Sequence, residues 1–269
     1  MITAMLIRMA PIITARATTM TISACVAAIQ RIIVTAIRPL TAIMTATVMT
    51  IDTAALVRLM SWLSPAFPVG GVNYSHGLEQ AVAANLVADR ATLVSWLETL
   101  LTQGSAWNDL VLLAEAWHRA DAEDDLLEVT ELAEALAGSA ERHLETMNQG
   151  GAFLAAAANW GEGTSHGLGP RAALPVAVGA CAAKSGLPLE ASLAAFLQAF
   201  VSNQVQAAQR LMPIGQSGGI SVMSALEPLI GEVAGHAAAS TLDDLGSSAL
   251  NAEIAAMRHE TMPSRIFVS

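Results

Sequence analysis

The chain runs to 269 residues, of which 54% are hydrophobic and 13% charged, and it carries a net charge of −10. That length supports a sizeable buried core, while the acidic balance argues against nucleic-acid binding, which needs a basic footprint. Two cysteines, Cys25 and Cys181, make neither a disulfide framework nor a CxxC motif, which fits a reducing cytoplasm.

Residues 1–50 are a different material from the rest. They hold Arg8, Arg16, Arg31 and Arg38, no acid, and six of the twelve methionines. Neither helical nor strand periodicity persists through them. They read as an extension outside the fold, with Met49 as a plausible true start, because the composition changes within three residues of it. A targeting segment, or an arm for a membrane or a partner, is the alternative. The body, from residue 51 onward, has 9 basic against 23 acidic residues, or −14. Mean hydropathy is positive, at +0.50. Even so, no run of 18 purely apolar residues occurs in the body without a charge, an amide or a breaker, so a membrane span is not expected. Leu, Ala and Met dominate over β-branched residues, which favours helix.

In chain order, Asp52 or Thr53 caps a short helix to about Trp62, and Ser64-Pro65 stops it. Ser64–Glu79 then gathers two prolines, three glycines, the only tyrosine and His76. This stretch is not ordinary helix, because proline removes donors and glycine permits tight turns. A helix follows from Ser75 or Gly77 to Val87. Asp89 caps the next, whose leucine stripe breaks near Gly104 and resumes from Trp107 to Arg119. The acidic run Asp121–Asp125 marks another helix start, and Gly138-Ser139 separates that helix from one beginning near Ala140. Residues 159–170 form a glycine-rich loop. Helices are expected over Arg171–Ser185, from Pro188 to Leu211, over Ile220–Ala238 and over Ser247–His259, with a break at Met212–Gly219. No alternation supports a sheet. The expected fold is an all-α single-domain bundle of roughly eight to ten helices over residues 51–269.

The search for chemistry returns little. His76, His118, His143, His166, His236 and His259 form no HExxH or HxH ligand set. His76 beside Glu79 is a candidate for one metal contact, or for organising its loop. Gly215–Gly219 is not a GxSxG elbow and follows no strand. The sole lysine, Lys184, sits in no phosphate loop. Cys181 lies among alanines and reads as a small buried group. Glu141, Glu145 and Gln149 share one helix face, with Arg142 next door. Periodicity alone leaves that row open between a solvated face and a functional one. Arg210 ends a long apolar helix, where a cation is favourable in itself. The last residues, Arg265 to Ser269, carry an aromatic where chains usually fray, so Phe267 is expected to pack into something. The residues alone describe an interaction protein better than an enzyme. A helical enzyme with an unrecognised site and a membrane-associated helical protein remain as alternatives.

Five segments resemble the UreF family of urease accessory proteins, in order and spacing. They are Ser64–Gly71 continued by Tyr74–Glu79; Glu141 with Asn148-Gln149-Gly150; Pro175–Gly179; Arg210–Gln216; and Arg258-His259-Glu260 with Arg265–Ser269. Val72-Asn73 stands where the family has a phenylalanine–serine-like pair, and Val268 where arginine is common. The resemblance implies an all-α dimer that joins the UreD (or UreH) protein to the UreG GTPase for GTP-dependent nickel delivery to apo-urease. It implies no tightly bound cofactor: Ni²⁺ is in transit and GTP belongs to the partner. By the same resemblance, Arg265, Phe267, Arg210 and Gln216 support the UreD-facing region. Tyr74, His76 and Glu79 shape the loop that meets UreG or the dimer partner, and Glu141, Gln149 and His259 belong to the shared motifs.

Overall fold

The computed structural model describes residues 51–269, apart from 162–163, 165–167 and the side chains of 123–125. The N-terminal extension with Met49, and His166 of the glycine-rich loop, lie outside the described residues. Ten α-helices make up the described fold: α1 Thr53–Trp62, α2 Leu78–Ala83, α3 Arg90–Gln103, α4 Ser105–His118, α5 Glu123–Ala135, α6 Ala140–Ala157, α7 Leu174–Lys184, α8 Leu189–Leu211, α9 Gly215–Ala238 and α10 Leu250–His259. No strand occurs among the described residues, and no helix there is long and apolar enough to cross a membrane.

Local sequence sets several boundaries. Asp89 accepts the backbone N–H of Thr92, and the Thr92 hydroxyl accepts the N–H of Asp89, so α3 begins with a reciprocal cap. Ser139 caps α6 in the same sense, accepting from the N–H of Arg142. Pro175 lies in the first turn of α7, where a missing N–H costs nothing. Two boundaries differ most from the sequence expectation. Helix α2 ends at Ala83, because Asn85 turns with φ 57°. Helix α9 begins at Gly215 and includes Gly218 and Gly219. Both glycines are buried against Arg90 and Gln209, so close packing holds them in a helix that propensity disfavours.

Helix α7 lies against α4 and α6, and α8 against α9. Small residues allow the close approaches. A Cβ on Gly150 of α6 would stand 1.9 Å from the carbonyl oxygen of Ala172, and one on Gly179 of α7 would stand 2.3 Å from that of Leu113. The main core joins Leu97 and Leu101 of α3, Leu113 of α4 and Leu197 and Val201 of α8. A second cluster joins Leu126 and Val129 of α5 to Met147 and Val176. The Pro/Gly loop after α1 is pinned by aromatic packing. Phe67 lies 5.4 Å from Phe153 and 6.0 Å from Trp160, and Trp62 lies edge-on to Phe153 at 5.5 Å.

Candidate functional site

The turn that starts α2 places Glu79. Gly77 has φ 76°, and a Cβ there would meet the backbone N of Ala256 at 2.7 Å, so glycine lets α2 rest directly on α10. His76, just before it, holds φ 51° without being glycine, a strained state kept only when neighbours impose it. The contact brings Glu79 of α2 beside His259 at the end of α10. His259 is fully buried, with Nε2 3.2 Å from Glu79 and Nδ1 2.7 Å from Glu141 of α6.

The final residues close over this group as a strap. The N–H groups of Ile266 and Phe267 donate to the two oxygens of Glu79 at 2.7 and 2.9 Å. Arg265 pairs with Glu141. The N–H of Val268 donates to the carbonyl of Asn73 at 2.8 Å, and the Ser269 backbone oxygen accepts from both the N–H and the hydroxyl of Ser75. Ile266 and Val268 face outward while Phe267 and Ser269 are buried. Arg210 stands over the Phe267 ring at 4.5 Å and donates to the carbonyl of Val72. Burial pushes the Glu79 carboxyl up, but the Ile266 and Phe267 N–H groups and His259 outweigh it and hold it below its ordinary value.

Glu145, one turn beyond Glu141, sits 1% exposed at the centre of a second group. Its Oε1 lies 2.8 Å from Nε2 of His76 and accepts from Gln149 at 2.9 Å. Its Oε2 accepts from the Ser269 hydroxyl at 3.1 Å and lies 3.8 Å from Arg142. Arg142 also pairs with Asp109 of α4. Burial raises the Glu145 pKa, yet His76 and Arg142 outweigh it and keep the carboxyl ionised below its usual range. Asp109 goes the other way, pushed up by burial against the pull of Arg142 and His76. Burial opposes charge on Arg142, but Asp109 and Glu145 bind its proton more tightly than usual. The four residues His76, Asp109, Arg142 and Glu145 wall two cavities, of about 100 and 70 Å³. Ser269 and Glu141 line the larger, and Gln149 and Phe200 the smaller. Nδ1 of His76 is buried without a hydrogen-bond partner among the described residues.

No group of three or more His, Cys, Asp or Glu residues arranged to hold a metal ion occurs among the described residues. Of the residues singled out by sequence, the structure gathers Glu79, Glu141, His259, Arg265 and Phe267 at the strap, with Arg210 over it. It joins His76 and Gln149 through Glu145. Tyr74 is buried at the end of the short 3-10 turn Gly71–Asn73. Gln216 stays apart, exposed at the start of α9 and 3.4 Å from Gln209. Asp109, Ser75 and Ser269 were not singled out as site residues, and a lone Asp or Ser gives no spacing signal. The row Glu141–Glu145–Gln149 is an interior face, not a solvated one.

The family model for UreF matches residues 87–227. The chain belongs to the UreF family. It is 58% identical over 217 residues to urease accessory protein UreF 1 of Brucella canis, covering 81% of this chain and 95% of that protein. Urease accessory protein UreF of Mesorhizobium japonicum is 56% identical over 215 residues, with 80% and 96% covered. UreF 1 of Brucella anthropi is 54% identical over 221 residues, with 82% and 97% covered. As a UreF-family chain, this one keeps the motif residues of the strap and its loop in a single connected network.

Proposed function

We propose that this chain is a non-catalytic adaptor in urease maturation. It bridges the UreD (UreH) protein and the UreG GTPase in the cytoplasm, as a homodimer, while nickel passes as cargo to apo-urease and UreG hydrolyses GTP. One observation carries this reading: the motif residues are engaged with one another in fixing the strap against the 73–79 loop. Such a network shapes a surface. The outward residues of that surface are Val72, Ile266 and Val268, with Arg210 and Arg265 beside them, an apolar patch with a charged edge of the kind that anchors interfaces. Leu250, Ile254 and Met257 form a second exposed apolar row on α10, suited to a partner-covered face. The two cavities that share polar walls support a route for the cargo, since oxygen and imidazole donors that do not close into a ligand set hold Ni²⁺ weakly enough to release it.

The test is co-purification of the chain with UreD and UreG, with and without GTP and nickel, combined with urease activation in cells lacking their own UreF. The expected result is a complex containing both partners and restored urease activity. Failure to retain either partner, together with no restoration, would overturn the adaptor reading. Removing residues 260–269 should abolish UreD binding, and undiminished binding would refute the role given to the strap.

A further inference from the structure

We propose that the smaller cavity is a binding site for a small neutral carboxamide, held between the indole N–H of Trp62 and Nδ1 of His76. The inference stands apart from the adaptor reading, and its failure would leave that reading as it is. The wall of this cavity has two parts. Phe67 and Phe153 pack on one another beside Trp62, and His76, Asp109 and Glu145 belong to the ion-paired group around Arg142. Pro65 and Val72, both exposed, also line it and put it within reach of solvent. Its volume of about 70 Å³ is several times what one water needs and less than half of a cavity that takes benzene, so it suits an occupant of about four non-hydrogen atoms.

Two residues of this wall carry a buried nitrogen without a partner among the described residues, and the two nitrogens have opposite needs. Trp62 is 1% exposed, and its Nε1–H can only donate. His76 turns Nε2 to the ionised carboxylate of Glu145. That nitrogen therefore carries the proton, and Nδ1 of the neutral ring can only accept. Leaving either bond unmade is costly in a buried setting. A carboxamide offers both functions on one flat group. Its carbonyl accepts the Trp62 N–H, its NH₂ donates to Nδ1 of His76, and the side-chain carbonyl of Gln149 in the same wall is an acceptor for the second N–H. A short alkyl end on the amide meets Phe67 and Phe153. Charged groups fit less well: a carboxylate would face ionised Glu145, and an ammonium brings no acceptor for Trp62.

The experiment titrates acetamide into the full chain labelled with nitrogen-15 at tryptophan, and Trp62→Phe identifies the Trp62 indole signal. That signal should shift and saturate, with a Kd on the order of 1 mM for a ligand of this size. Ligand-detected NMR then compares affinities. N,N-dimethylacetamide keeps the acceptor and lacks the donors, and ethylammonium lacks the acceptor. Each should bind at least ~10-fold more weakly than acetamide. Ala199→Leu fills the cavity from α8 and should abolish binding, while Trp62→Phe should weaken it by about 5-fold. Thermal melting confirms folding, and either variant suffices if the other does not fold. Absence of a saturable Trp62 shift would overturn the site. Binding of N,N-dimethylacetamide, ethylammonium or ethanol as tight as that of acetamide would overturn the carboxamide assignment. Unchanged acetamide binding in every folded variant would overturn the location.

Discussion

Glu79 and Phe267 lie 188 residues apart in the chain, and Oε2 of the first accepts the backbone N–H of the second at 2.9 Å. Glu79 occupies the first turn of α2, where a carboxylate usually serves the helix's own free N–H groups. Here it serves those of Ile266 and Phe267 instead. The same carboxylate meets His259, so a single side chain ties α2, α10 and the strap.

That arrangement makes strap docking sensitive to acid. The folded pKa of Glu79 lies below its ordinary 4.5, so its stabilising share is present above 4.5 and is lost as pH falls through the lower folded value. Glu145 shifts in the same direction. Asp109 shifts oppositely, and its share is complete below its ordinary 3.8 and declines as pH rises through the folded value. At pH 7, Glu79→Gln should destabilise strap docking by about 2 kcal/mol, the scale of a hydrogen bond to a charged group. Amide exchange at Ile266 and Phe267, followed from pH 7 to below pH 4.5, should show parent and variant converging in acid.

Arg142 is the cation between Asp109 and Glu145, and its loss leaves Asp109 without its ion-pair partner. Arg142→Ala should cost about 3–5 kcal/mol in urea unfolding. Adding Asp109→Ala should cost much less than the sum of the two single changes, because the stranded charge is then gone.

Two glycines test the helix contacts. Gly150→Ala and Gly179→Ala each drive a methyl into a backbone carbonyl, so neither neighbour can yield by rotating a side chain. Each should lower stability by about 3 kcal/mol or more, the upper range for overpacking. Gly138→Ala, where a Cβ would meet nothing within 4 Å, should leave the melting temperature nearly unchanged.

Cys181 is fully buried, and burial pushes its thiol up to about 12 against the weak pull of Lys184. Since the thiolate is the reactive form, Cys181 should resist iodoacetamide at pH 8 in the folded chain. Peptide mapping should find it modified only across the unfolding transition.

The helices were legible because their signals are local. Asp89 and Ser139 stand where caps must stand, and the leucine stripes repeat at helical spacing. Phe267 was legible as an anchor because an aromatic in a terminal segment needs burial. The start of α9 was not, because Gly215, Gly218 and Gly219 read as a turn until the packing against Arg90 and Gln209 is known. The rest of α9, through Pro228, was expected as helix and is helix. The row Glu141–Glu145–Gln149 has the same spacing on a wet face as on a buried one. What distinguishes the two is the set of partners at 76, 259, 265 and 269, and distance along the chain hides all of them.

The bond between Ser75 and Ser269 spans 194 residues, and the contact of Gly77 with Ala256 between α2 and α10 spans nearly as many. Once α10 rests on α2, the ends of that long loop are already together, and the strap has only the few residues after His259 left to close. The network around Glu145 therefore depends on α10 docking before the strap can reach it. Refolding followed by tryptophan fluorescence should run ahead of protection at Ile266 and Phe267, and simultaneous recovery of the two signals would show that strap and core form together.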